Sequence, residues 1–334
     1  MGKMVRIGIF GVGHLGKIHT RLLKEIAGYE IVGFYDPDDT NAEKAIAEFG
    51  IERYDSPKKL IELVDAIDIV SPTITHYEIA REAIKNSKHV FIEKPLASNL
   101  AEAKELVELA TEANIKAMVG HVERFNPALL SLNRKNLNPL FIEVHRLAEF
   151  NPRGTDVSVV LDLMIHDIDI ILSLVKANVK RVSASGVAII STSLDIANAR
   201  IEFDNGCVAN ITASRVSIKN MRKMRIFQPG AYISMDFLKK KSDVFKIDDT
   251  LPMNGEEEIP HFEIDLPNAS KKYITFETVE KKDVNAIKME LEHFHKAITQ
   301  NKPVPVSILE GYNAMNVAHQ ILDKINQQLM LNKQ

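Results

Sequence analysis

Between a short apolar run, Val5–Phe10, and a helical periodicity over His14–Ala27, the chain reads Gly11-Val12-Gly13-His14-Leu15-Gly16. No other feature limits the fold as tightly. A second apolar run, Ile31–Tyr35, ends at Asp36, twenty residues beyond Gly16. In a strand–turn–helix unit of this kind, Gly11 makes the tight turn and Gly13 lets backbone approach a pyrophosphate. Gly16 lets the helix pack closely on the strand. The helix N-terminus, with His14 and Leu15 in its first turn, then faces the phosphates. Asp36 is placed to accept hydrogen bonds from a ribose, and Pro37-Asp38-Asp39 would repel a 2′-phosphate. NAD is therefore the expected cofactor, ahead of NADP.

The alternation continues through the first third of the chain. Apolar runs at Ala66–Val70, His89–Ile92 and Lys116–Val119 alternate with helical stretches at Asn41–Phe49, Thr75–Asn86 and Leu100–Ala113. Such runs, buried on both faces, predict a doubly wound parallel sheet over residues 1–121. Ligands of these sheets bind beyond the carboxyl ends of the strands. Two strand ends carry chemistry there: Ser71-Pro72-Thr73-Ile74-Thr75-His76, and Glu93-Lys94-Pro95. Pro95 restrains Lys94 to an extended conformation.

At 334 residues the chain exceeds one comfortable core. A net charge of −3 gives no electrostatic reason for nucleic acid or an anionic membrane as partner. The one cysteine, Cys207, excludes an internal disulfide and fits a reducing compartment. No apolar segment reaches the ~20 residues of a membrane span. A cytoplasmic protein is expected.

After Gly120 the grammar changes. Strands are expected at Phe141–Glu149, Val182–Ile190, Ile196–Phe203, Cys207–Ser214, Lys223–Phe227 and Tyr232–Phe237. Helices return at Val284–Thr299 and Ser307–Leu329. Residues 122–334 thus read as an α+β domain with a large, mostly antiparallel open sheet. Within it, the apolar run Val157–Val175 carries Ser158, Asp162, His166, Asp169 and Ser173 at spacings of four, four, three and four. On an α-helix these side chains share one face. A buried Asp and His need partners, so the stripe faces an internal network or a binding cavity. A metal at Asp162, His166 and Asp169, with His121 or His76, is the rival reading. No metal is expected, because a nicotinamide takes a hydride without one.

The glycine loop, Glu93-Lys94-Pro95 and Asp162-x-x-x-His166 together resemble the Gfo/Idh/MocA family of NAD(P)-dependent sugar oxidoreductases over essentially the whole chain. The wording from Gly120 to Pro127 and from Asp156 to Asp169 is most similar to its branch of nucleotide-sugar 3-dehydrogenases, of UDP-N-acetylglucosamine type. Met164 stands where the family usually has glycine. The resemblance implies oxidation of a secondary hydroxyl, with Lys94 and His166 as the catalytic pair and Asp162 as an orienting or substrate contact. Histidine suits proton transfer because its reference pKa lies near working pH. Arg124, Asn126 and Arg153 are candidate contacts to a diphosphate or sugar. The resemblance also implies a homodimer or homotetramer through the open sheet. An inositol or free-aldose dehydrogenase is the alternative within the family, and a non-catalytic sugar or cofactor sensor the alternative outside it.

Overall fold

A computed structural model describes residues 4–151, 157–255, 257–267, 270–281 and 284–331. Arg153 lies outside them. The chain forms two compact units, one running to Phe125 and taking in Asn285–Asn316, the other comprising Asn126–Val284 and the residues from Val317 onward.

In the first unit the order is β1 (Val5–Phe10), α1 (His14–Glu25), β2 (Tyr29–Tyr35), α2 (Asp39–Phe49), α3 (Pro57–Leu63) and β3 (Ala66–Ile69). It continues with α4 (His76–Lys85), β4 (His89–Glu93), α5 (Leu100–Glu112) and β5 (Ala117–Gly120). The five strands lie in the order β2-β1-β3-β4-β5 and pair in parallel. Every residue of β3 and β5 is buried, as a sheet covered on both faces requires. The chain leaves β1 toward β2 and returns to β3 on the other side, which makes the ends of β1 and β3 the topological switch point. Helix α3, seven residues long, is too short to show a period and is not anticipated from sequence. Asp38 caps α2 by accepting the N–H of Asn41, and Gly50, at φ 62°, ends it.

The second unit contains α6 (Pro127–Leu130), β6 (Phe141–Leu147), a π-helical turn (Val160–Met164), α7 (Ile165–Leu174), β7 (Val179–Val187), β8 (Ile196–Phe203) and β9 (Val208–Ser214). Then come β10 (Met221–Gln228), β11 (Ala231–Asp236), β12 (Lys241–Asp248), the small β13 (Met253–Asn254) and β14 (Glu257–Glu258), β15 (His261–Asp265) and β16 (Lys271–Glu280). Nine strands form one sheet in the order β15-β16-β12-β11-β10-β6-β9-β8-β7. All its pairs are antiparallel except β6–β9. Gly206, at φ 86°, makes the β8–β9 hairpin. One row of this sheet is aromatic. Phe141, Phe227, Tyr232, Phe245 and Phe276 pair in register across β6, β10, β11, β12 and β16, with ring centroids 4.9–6.0 Å apart.

Two closing helices follow. Asn285 caps α8 (Ala286–Thr299), and Phe294 of α8 packs edge-on against Phe91 in the first unit. Helix α9 spans Ile308–Leu331. Among the described residues, no helix is long and apolar enough to cross a membrane.

Candidate active site

The switch point of the first unit is a cleft of about 700 Å³, lined by Gly11, Gly13, Asp36, Ser71, Pro72 and Thr75 among others. Its glycines are dictated by contact. Gly11 has φ +94°, and a Cβ there would stand 2.7 Å from the Ser71 backbone. A Cβ on Gly16 would stand 2.0 Å from the Gly11 carbonyl oxygen. Around Gly13 there is open space, and this residue sits at the N-cap of α1 with no side chain to occupy the first-turn N–H groups. The loop thus offers backbone donors and room, which fits a pyrophosphate. His14 is exposed on the first turn, and Leu15 is half-buried behind it.

Asp36 is buried and anchors the loop. Its carboxylate accepts the N–H of Val12 at 2.8 Å and that of Asp38 at 2.9 Å. Arg53, which no motif singles out, donates to the Asp36 carbonyl at 2.9 Å and pairs with Asp39 at 2.8 Å.

Across the switch point, the Ser71 hydroxyl donates to Thr75 Oγ1 at 2.7 Å, and Thr75 donates on to the Pro72 carbonyl at 2.8 Å. Pro72 is exposed and Thr73 half-buried at the turn. His76 is buried with both ring nitrogens on backbone carbonyls, Nδ1 on Pro95 at 3.0 Å and Nε2 on Ser71 at 2.9 Å. Burial lowers its pKa, and the two carbonyls work against that. His76 therefore ties the β3 and β4 loops together. In the β4 loop the N–H of Lys94 donates to Glu93 Oε2 at 3.2 Å. Lys94 itself is half-buried.

Beyond β5, Arg124 is buried and pairs with Glu310 at 3.1 Å, and His121 is buried beside it in sequence. In the second unit Asn126 caps α6 through the N–H of Ala128 and donates to the Phe237 carbonyl at 3.1 Å.

The striped segment is not the straight α-helix that its spacing predicts. Helix begins at Val159, and residues 160–164 form a π turn, with the N–H of Ile165 reaching back to the Val160 carbonyl. Such turns concentrate at functional positions. Asp162 lies within this turn, and His166 in the first turn of α7. Both are half-buried, whereas Asp167 and Asp169 are 1% exposed. Met164, in the family's glycine position, is core. Ser173 accepts Arg134 at 2.7 Å, and Ser158 accepts the N–H of Leu161.

Comparison with known proteins fits this geometry. Residues 5–121 match the family model described as "Oxidoreductase family, NAD-binding Rossmann fold", and residues 133–229 match the GFO/IDH/MocA C-terminal domain. The chain belongs to the Gfo/Idh/MocA family. It is 34% identical to UDP-N-acetylglucosamine 3-dehydrogenase of Acidithiobacillus ferrooxidans over 95% of this chain and 96% of that one. A solved structure of that enzyme matches with a TM-score of 0.85 at 32% identity, covering 96% of this chain and 98% of the other. It is 31% identical to scyllo-inositol 2-dehydrogenase (NAD(+)) of Bacillus subtilis, over 65% of this chain and 69% of that one. Like its Gfo/Idh/MocA relatives, the protein is an oxidoreductase that uses a nicotinamide cofactor.

This Gfo/Idh/MocA chain also buries charged groups that no motif marks. Arg146 of β6 donates to both oxygens of Asp167, at 2.7 and 2.8 Å. In the first unit His19, Asp68 and Glu290 are buried too, with Glu93, which the Glu93-Lys94-Pro95 motif does mark. Their signal in the sequence is phase, since each occupies a core position of its element. Arg146 follows Ile142 and Val144 on the buried face of β6, and Glu290 precedes Phe294 and Ala297 at helical spacing.

Proposed function

We propose that the protein oxidises a secondary hydroxyl of a nucleotide sugar of UDP-N-acetylglucosamine type, with NAD accepting the hydride. One observation carries the substrate class: the full-length likeness to UDP-N-acetylglucosamine 3-dehydrogenase, which spans both units. Gly11, Gly13 and Gly16 would receive the pyrophosphate, Asp36 the ribose, and Ser71, Pro72, Thr73 and Glu93 the nicotinamide end. His76 acts here by holding two of those loops. Asp36 followed by Asp38 and Asp39 supports NAD. Arg53 favours a second reading, since an arginine at this edge can pair with a 2′-phosphate if it leaves Asp39. The ratio of kcat/KM for NAD and NADP decides between them.

Removing a hydride from carbon requires the hydroxyl proton to leave as well. We assign that proton to His166, because histidine is the side chain whose reference pKa lies near neutral pH. Asp162, one turn back, orients the ring or the sugar. The Lys94 ammonium donates to the same oxygen and stabilises its developing negative charge. Arg124, Asn126 and Arg153 remain proposed contacts to substrate. With NAD and a panel of UDP-sugars, inositols and free aldoses, His166→Ala should lower kcat by about 10²–10⁴-fold, and Lys94→Ala comparably, with NAD binding kept. NAD binding without turnover on any panel member would sink the enzyme reading in favour of a sensor. Turnover confined to inositols would move the substrate to the relatives of that kind. The aromatic row on the nine-stranded sheet, with Phe227 and Phe276 at least 40% exposed, supports self-association through this face. Light scattering on Phe227→Glu reads it as a drop in mass.

A further inference from the structure

His19 on α1, Asp68 on β3, Glu93 on β4 and Glu290 on α8 converge inside the first unit. His19, Asp68 and Glu290 have no exposed surface. Asp68 accepts His19 Nδ1 at 3.0 Å, which aims Nε2 at Glu93 Oε1, 3.4 Å away. The other Glu93 oxygen accepts the N–H of Lys94. Gly120 closes against the same carboxylate, where a Cβ would come within 2.5 Å of Oε1. Glu290 contributes two oxygens that no hydrogen bond satisfies. Ligating atoms of His19, Glu93 and Glu290 all lie within 4.8 Å of one another.

Three carboxyl groups and one imidazole cannot all be charged in so small a dry space. His19 lies between two carboxylates, hydrogen-bonded to Asp68 through Nδ1 and facing Glu93 at 3.4 Å through an Nε2 that makes no hydrogen bond, and an imidazolium there offsets the charge of both. That single cation serves Asp68 and Glu93. Glu290 is the acid left over. Burial, and next the charge of Glu93, push its carboxyl well above the usual carboxylate range, with His19 offsetting part. Burial opposes the imidazolium, but Asp68 and then Glu93 outweigh it and hold His19 well above the usual histidine range. The other titratable neighbours are committed. Tyr29 on β2 donates to the Leu291 carbonyl at 2.9 Å, and burial and Asp68 keep it neutral. His76 on α4 is held by its two carbonyls.

We propose that His19, Asp68 and Glu290 are positioning residues for Lys94, holding Glu93 as an anion one residue before it, with Glu290 as the neutral acid of the cluster. Glu93 then fixes the lysine's backbone through the N–H. The proposal rests on the reading of Lys94 as donor to the substrate oxygen. The same nitrogen and oxygen donors would also suit a divalent cation, so metal content decides between an ion and a proton.

The test uses the full-length protein. Infrared spectra at neutral pH should contain the carbonyl stretch of a protonated carboxyl that disappears in Glu290→Gln, in protein free of stoichiometric metal. Competitive acetylation followed by peptide mass spectrometry reads the surroundings of Lys94 without any turnover. Its rate should rise at least about twofold in Glu93→Gln, which removes the neighbouring carboxylate, and stay put in Glu290→Gln. In turnover, Glu290→Ala should lose kcat at least about tenfold, Glu290→Gln should recover most of it, and KM for NAD should stay within about twofold. An absent band, one equivalent of bound metal, or a Lys94 acetylation rate that changes equally in both glutamine variants overturns the proposal. If no sugar is oxidised, the functional reading fails on its own, while the infrared and acetylation results still decide the cluster.

Discussion

Glu290 in the first unit and Asp195 in the second are both carboxyl groups without exposed surface, yet their surroundings are opposite. Asp195 accepts the N–H groups of Ile189, Ile190 and Ser191 at 2.7–2.9 Å and the Ser191 hydroxyl at 2.7 Å. Burial alone would raise its pKa, but these donors hold it well below the usual range. Glu290 has no such donor and is pushed the other way. Donors rather than depth therefore set the charge of a buried acid. An acid with a complete shell is a fixed piece of scaffold. An acid left over among ionised neighbours carries a proton.

The hardest way to break this contrast is to move a third acid from one kind to the other. Asp167 is held by two bonds from Arg146 in the interior of the second unit. Arg146→Ala removes those two bonds, and removing one partner of a buried pair costs about 3–5 kcal/mol. Urea unfolding followed by circular dichroism should show that loss, and the double replacement Arg146→Met with Asp167→Leu should regain most of it. A loss under about 1 kcal/mol, the range of surface pairs, would mean that donors matter less here than argued.

The next effect depends on pH. The folded-state pKa of Glu290 lies above its unfolded value, so the folded chain binds more protons than the unfolded one. Stability tied to that proton is present below the unfolded pKa, about 4.3, and declines as pH rises toward the folded value. Glu290→Gln cannot titrate. Its melting temperature relative to the native protein should climb steadily as pH rises from the unfolded carboxyl value, about 4.3, toward the raised folded one. A constant offset across that window would show that Glu290 is ionised throughout.

What was legible in the sequence divides along similar lines. The glycine loop and Asp36 were readable because steric rules permit few residues there; Gly11 and Gly16 have no room for a side chain. The strands of the first unit were readable as apolar runs because both faces are covered. The edge strand β15 alternates Phe262 and Ile264 with Glu263 and Asp265, yet it buries neither apolar residue, so its pattern points to no core face. The π turn was invisible, since five residues are too few to separate its period from that of an α-helix. The stripe drew attention to Asp162, His166 and Asp169 by spacing; Asp169 is sealed while Asp162 and His166 are half-buried, and the other sealed charge, Asp167, lies beside the stripe. His19, Asp68 and Glu290 belong to no short motif. Asp68 stands in a four-residue strand that is buried throughout, and that misplacement of a charge in core phase was its only signal.

The smallest change tests the complete shell itself. Ser191→Ala removes one hydrogen bond to Asp195 and leaves in place the three N–H groups and Arg215, which pairs with it at 3.7 Å. A hydrogen bond to a charged group contributes about 1.5–3 kcal/mol. Ile189 and Ile190 beside it are exposed, so water can replace part of the loss, and about 1 kcal/mol is the expected cost at neutral pH. The sign with pH is the reverse of the Glu290 case. A depressed pKa stabilises above the unfolded value, about 3.9, and that contribution fades as pH falls through the folded one. Losing the hydroxyl raises the folded pKa, so the variant's deficit should be largest near neutrality and shrink in acid. A deficit that instead grew as pH fell would place the hydroxyl's contribution in loop packing, and Asp195 would no longer stand as the counterpart of Glu290.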